Sequence, residues 1–121
     1  MITKLSHVTL FVTSQDAAKD FYVNKLGFSV HTDQTMDNGF RWLTVIAPEQ
    51  PDLEIVLLEP REGPMLDAEA AAAIRLLLKK EVLGAGAFET RNCRGTYETL
   101  KAKGVHFAGR LRSGSTAPKR S

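Results

Sequence analysis

Between His7 and Phe28 a strand, a cap, an amphipathic helix and a glycine stop follow one another without interruption, HVTLFVTSQDAAKDFYVNKLGF. His7, Thr9 and Phe11 alternate with Val8, Leu10 and Val12, so the two sets belong to opposite faces of a strand. Ser14 is placed to cap a helix, and Asp16 falls in its first turn, where a negative charge is favoured. Ala18, Phe21, Tyr22 and Leu26 recur at helical spacing, with Lys25 the polar exception. Gly27 is the expected left-handed stop, and Phe28 beyond it can pack back on the last turn. Val8, Leu10 and Val12 then meet the helix, which leaves His7, Thr9 and Phe11 on the other side of the sheet.

A weaker copy, AFETRNCRGTYETLKAKGVHF, ends at Phe107. A short strand ends in Phe88 and Thr90, Asn92 caps a helix, Gly104 stops it, and Val105, His106 and Phe107 begin a further strand. The offset is 78 residues from Leu10 to Phe88 and 77 from Gly27 to Gly104. Two like modules at a nearly fixed spacing suggest duplication.

The first module completes itself with strands over 28–35, 40–47 and 53–58. Asp37-Asn38-Gly39 is a hairpin turn signal, and PEQPD reads as a turn with two prolines. The order over 1–60 is therefore β-α-β-β-β. Residues 61–83 are a linker in which Asp67 caps LDAEAAAAIRLLLKK, a stretch of high helix propensity. Residues 84–108 are the second module, and 109–121 read as a disordered basic tail without strand alternation. The two further strands that the first module's pattern would require are absent, so the second module reads as truncated after its second strand. A shortened product, or a chain that completes its sheet from a partner, would have this pattern. Either is expected to be marginally stable or obligately paired.

A length of 121 residues fits one α+β domain with one core. The single cysteine, Cys93, rules out an internal disulfide and a cysteine metal cluster, and points to a reducing cytoplasm. As a helix-start residue Cys93 is read as structural rather than nucleophilic. No apolar run approaches the ~20 residues of a membrane span. The net charge of +2 comes from Arg110, Arg112, Lys119 and Arg120; without them 12 basic residues face 14 acidic ones, a balance of −2. No aromatic residues interleave with that basic end, so neither nucleic acid nor membrane is an expected partner.

Glu54 is the odd charged residue in an otherwise apolar strand, and burying a carboxylate without a partner is costly. Strand alternation puts Glu54, Val56 and Leu58 on one face and Leu53, Ile55 and Leu57 on the helix face. Trp42 stands on an alternation that suits either the core or a ligand contact, and Arg41 falls on the opposite, structural side. His31 and His106 lie on second strands, where a surface position is the default.

HVTLFVTSQDAAKDFYVNKLGF, the FRWLTVIAPEQPDLEIVLLEP segment and GAFETRNCRGTYETLKAKGV together resemble the vicinal oxygen chelate superfamily, also called the glyoxalase/bleomycin resistance/dioxygenase fold, over about residues 3–107. The resemblance implies two βαβββ modules that curl a sheet around a shared cleft, and a homodimer. It puts His7 at the first-strand metal-ligand position and Glu54 at the fourth-strand acidic one. Such donors suit Zn, Ni, Fe or Mn. The matching first-strand position of the second module falls on Ala85, which cannot ligate, and its fourth-strand acid has no counterpart. Two ligands with waters would hold a metal poorly.

Three functions follow from the resemblance. The one that asks least of the chain is a small-molecule-binding protein of the bleomycin-resistance kind without a complete metal site. Its cleft would be lined by His7, Thr9, Phe11, Trp42, Glu54 and Val56. The second is a divalent-metal-dependent lyase, isomerase or dioxygenase with His7 and Glu54 as ligands, and Glu54 as ligand or catalytic base. The third is a degenerate member with no active site of its own.

Overall fold

Strand β1 (His7–Phe11) lies parallel to β4 (Gln50–Leu58), and the helical segment between β1 and β2 crosses over one face of the sheet they share. The computed structural model describes residues 1–84, 88–104 and 112–113. Within the first of two units, Met1–Leu83, the order is β1, α1 (Gln15–Asp20), a π-helical stretch (Phe21–Lys25), β2 (Ser29–Thr35), β3 (Arg41–Ala47), β4 and α2 (Ala68–Lys79). The sheet runs β1-β4-β3-β2, with β3 antiparallel to both neighbours. This is the α+β, β-α-β-β-β arrangement that the strand alternation and caps imply.

The register assigns the faces. His7 pairs with Glu54, Thr9 with Val56 and Phe11 with Leu58, while Thr44 pairs with Val56 and Val45 with Ile55. Alternation along each strand then gives one face to His7, Thr9, Phe11, Trp42, Thr44, Glu54 and Val56. The other carries Leu10, Leu43, Val45, Ile55 and Leu57, against which α1 packs. Leu43, Val45 and Leu57 are fully buried.

Ser14 caps α1, its hydroxyl accepting from the Ala17 N–H at 3.2 Å. The helix differs from the single α-helix expected from Ser14 to Leu26. After Asp20 it widens, with the Leu26 N–H donating to the Phe21 carbonyl at 3.0 Å, an i→i+5 bond. The wide turn buries Tyr22 between Phe21, edge-on at 5.5 Å, and Phe28 at 5.4 Å. Burial pushes the Tyr22 hydroxyl above its ordinary pKa. Gly27 ends the segment at φ +79°, as expected of a helix stop.

Gln15, the first residue of α1, is buried. Its side-chain amide donates to the Arg41 carbonyl at 3.0 Å and the Leu57 carbonyl at 2.8 Å, and its backbone N–H donates to Glu59 Oε2 at 2.8 Å. Burial pushes the Glu59 carboxyl up, but the Gln15 N–H and the Arg61 guanidinium outweigh it and leave the group below its ordinary value.

Arg41 has the structural role its strand face suggests. It forms a two-pronged contact with Asp33, Nε–Oδ1 at 2.8 Å and Nη2–Oδ2 at 2.9 Å, and reaches Asp16 of α1 at 2.7 Å. Lys19 adds a 2.8 Å bond to Asp33. The guanidinium and the ammonium hold the Asp33 carboxyl well below the usual carboxylate range. A carboxyl depressed in the folded state stabilises above its unfolded value, and the contribution is lost as pH falls through the folded one. Stability in urea is therefore expected to fall between about pH 5 and about pH 2. The slope should be measurably shallower in Asp33→Asn.

One strand boundary and one strand register differ from expectation. β4 begins at Gln50 rather than Leu53, because Ala47 pairs with Gln50 across a two-residue turn at Pro48-Glu49. Pro51 is tolerated because the β3–β4 register breaks between those rungs, the kind of irregularity where a strand proline loses no ladder bond. β2 carries a second irregularity: Val30 pairs with Val45 and Thr32 with Thr44, so His31 is an extra residue in a β-bulge.

In α2, Asp67 accepts from the Ala70 N–H at 2.7 Å, as the sequence suggests. No helix among the described residues is long and apolar enough to cross a membrane.

The second unit, Gly84–Ser121, contains β5 (Glu89–Thr90), α3 (Cys93–Ala102) and β6 (Arg112–Ser113). Asn92 caps α3 through the Gly95 N–H at 2.9 Å, and Gly104 follows its end at φ +87°. β5 and β6 pair parallel, Glu89 with Arg112 and Thr90 with Ser113. Those two residues fall in the stretch where the sequence pattern suggests no strand. Parallel pairing between short polar segments leaves no alternation to read. Ala85, His106 and the strand expected over Val105–Phe107 lie outside the described residues.

Candidate functional site

The sheet face away from α1 converges on Glu54. β4 places the carboxylate beside β1 through the His7–Glu54 rung and the Glu54 N–H donating to the Ser6 carbonyl at 2.9 Å. His7 Nε2 lies 2.9 Å from Oε2, and His31 Nδ1 lies 2.9 Å from Oε1. The Thr44 hydroxyl donates to Oε1 at 2.9 Å. The Glu54 side chain is 18% exposed, between histidines that are 44% and 48% exposed. The carboxylate is thus partnered, as its position in an apolar strand demands. The second ring nitrogen of His7 lies 2.9 Å from Ser6 Oγ.

Aromatic surface adjoins the cluster. Trp42 lies 6.4 Å from the His7 ring and 6.4 Å from Phe40, centroid to centroid, within the range of favourable ring contacts. Phe40 is exposed, Trp42 half-buried.

His7, Glu54 and Trp42 are therefore brought together. Thr9 and Phe11 share their face by register, Thr9 exposed and Phe11 half-buried. Val56 shares it too, but at 1% exposure it forms the floor beneath the site. His31, Thr44, Ser6 and Phe40 complete the constellation and are not singled out by sequence reasoning. His31 is exposed, as its second-strand position suggests, and its ring also reaches Glu54. Alternation puts His31 on the face opposite Val30, but that Glu54 shares this face is not visible before the strands are registered.

These side chains include two imidazoles and a carboxylate, donors a divalent ion would accept. As arranged they do not fit one. Each imidazole is hydrogen-bonded to its own carboxylate oxygen. Among the described residues no group of three or more His, Cys, Asp or Glu side chains is placed to hold a metal ion.

A βαβββ unit with a histidine on the first strand and a paired glutamate on the fourth defines a class of protein. A sequence profile of the glyoxalase/bleomycin resistance protein/dioxygenase superfamily matches residues 4–119, and the chain belongs to that superfamily. Its match runs through the basic end as well as the modules. The chain is 38% identical over 104 residues to the uncharacterized protein YurT of Bacillus subtilis (strain 168), spanning 86% of this chain and 77% of that one. Among crystal structures, UcmS2 is similar at 44% identity and a TM-score of 0.80, with 89% of this chain and 80% of UcmS2 covered. TnmS3, an antibiotic binding protein from Streptomyces sp. CB03234, is similar at 27% identity and a TM-score of 0.61, with 93% and 80% covered.

Proposed function

We propose that the chain binds a small aromatic molecule against the Glu54 face, with Trp42 and Phe40 offering ring surface and the His7–Glu54–His31 cluster anchoring a polar group. The observation that carries this reading is a nearly buried carboxylate set between two half-exposed histidines beside exposed aromatic surface. A mostly apolar surface with a few convergent polar groups is the usual make-up of a ligand site. Likeness to an antibiotic binding protein supports it. Thr9 and Phe11 extend the contact surface along β1. The cleft is completed by a second copy of the chain, since β1 is the edge strand of the four-stranded sheet.

Thermal unfolding in the presence of a panel of neutral and cationic aromatic compounds tests this. At least one compound is expected to raise the midpoint by several degrees at a concentration near 100 times its Kd, a stabilisation of about 2.7 kcal/mol. The shift should survive added chelator and be lost in Trp42→Ala. A panel that moves neither protein, or moves both equally, would contradict the reading.

His31 also favours a second reading, because it brings a third ligand-type side chain to the face. On this reading Zn, Ni, Fe or Mn would be held there, and the protein would be a lyase, isomerase or dioxygenase. Because the three side chains do not fit an ion as arranged, no catalytic step is assigned to it. Elemental analysis of the purified protein separates the two: near-stoichiometric metal that is lost in His31→Ala would favour the enzyme.

A further inference from the structure

We propose that Glu54 does not meet the ligand but fixes the tautomers of His7 and His31, so that the face selects a neutral aromatic hydrogen-bond donor, such as a phenol, over an aromatic cation. This rests on the reading of the face as a small-molecule site and names the class of molecule it takes.

The argument is one of hydrogen-bond capacity. An ionised carboxylate only accepts, at about four lone-pair positions. Three are filled: Oε1 takes the Thr44 hydroxyl and His31 Nδ1, and Oε2 takes His7 Nε2, each at 2.9 Å. With 18% of its side chain exposed, Glu54 has little left with which to meet a cation. The nitrogens that face it must carry hydrogen, and in a neutral imidazole the opposite nitrogen is then an acceptor.

For His7 that acceptor is Nδ1, which takes the Ser6 hydroxyl at 2.9 Å. For His31 the Nδ1 hydrogen is shared with Thr32 Oγ1 at 3.0 Å, and the acceptor is Nε2, on the far side of a ring that is 48% exposed. Val30 pairs with Val45 on the α1 face, so His31 beside it takes the Glu54 face by strand alternation. The group offered to a molecule stacked near Trp42 is therefore a ring-nitrogen lone pair, which rewards an O–H or N–H donor and gives a fixed positive charge without a donor nothing to bond. His31 is the specificity-determining residue, and Glu54 positions it.

Long-range proton–nitrogen spectra of the isotope-labelled full chain at about pH 8, where an ordinary imidazole is neutral, read the tautomers directly. His7 is expected as the Nε2–H form and His31 as the Nδ1–H form, the less common one in free histidine. In Glu54→Gln the amide offers one acceptor and one donor, so at least one ring should change tautomer. Trp42 is the chain's single tryptophan, so its indole N–H signal in the same sample reports binding. Naphthol is expected to bind about three- to tenfold more tightly than methoxynaphthalene, the contribution of one hydrogen bond, and His31→Leu should abolish that preference.

Finding His31 as the Nε2–H form would overturn the proposal whatever binds. Equal binding of naphthol and methoxynaphthalene would overturn it and leave the small-molecule reading standing. So would tightest binding by N-methylquinolinium, lost in Glu54→Gln, which would show that Glu54 meets a cation directly. No shift with any of the three would remove both.

Discussion

Leu57→Ala is expected to lower the unfolding free energy by roughly 2–5 kcal/mol, the range for deleting a leucine side chain from a packed core. Leu57 is fully buried on the α1 side of β4, and β4 is an inner strand bonded to both β1 and β3. The Leu57 carbonyl also accepts from Gln15, so α1 is tied to this residue by packing and by hydrogen bonding. Domains of this size have about 5–15 kcal/mol in total, and the lower part of that range would not survive the loss. Urea unfolding followed by far-ultraviolet circular dichroism measures it. A midpoint unchanged from wild type would mean that α1 does not seal the core.

Gln15→Leu is the second large effect and has a different cause. Leucine is close to glutamine in volume, so little cavity forms. The two bonds from the Gln15 amide to the Arg41 and Leu57 carbonyls disappear, however. A buried polar group left without a partner costs about 1–3 kcal/mol, so a loss of about 2–4 kcal/mol is expected. The bond from the Gln15 backbone N–H to Glu59 remains available in the variant. The same urea measurement applies, and a variant as stable as wild type would show that both carbonyls find other donors.

These two residues also show what a sequence reveals and what it conceals. Leu57 is readable because its neighbours alternate, so its inward direction follows from period two. Glu54 is readable because a lone carboxylate in an apolar strand needs partners, and it has three. Ser14, Asp67 and Asn92 announce their helices because short polar side chains cap backbone N–H groups wherever they stand in the fold. Gln15 is hidden because a polar residue just after a cap normally faces solvent, and its burial depends on two carbonyls 26 and 42 residues away.

His31 is hidden for a related reason. Its partner Glu54 stands on β4, with β3 between that strand and β2. That strand order is long-range, and local pattern does not encode it. The early start of β4 was masked by two prolines that look like a turn, and the pairing of Glu89–Thr90 with Arg112–Ser113 by its shortness and polarity. Local chemistry thus dictates the caps, stops and strand faces, while long-range register assembles the site.

The most direct test is a map of backbone amide shifts as the full chain is titrated with an aromatic compound that raises its unfolding temperature. The predicted result is a set of changes centred on His7, His31, Trp42, Thr44 and Glu54, with smaller ones at Thr9 and Phe11. Changes confined instead to the groove of α3 lined by Asn92, Gly95, Thr96, Thr99 and Leu100 would place the ligand elsewhere and contradict the assignment of the Glu54 face.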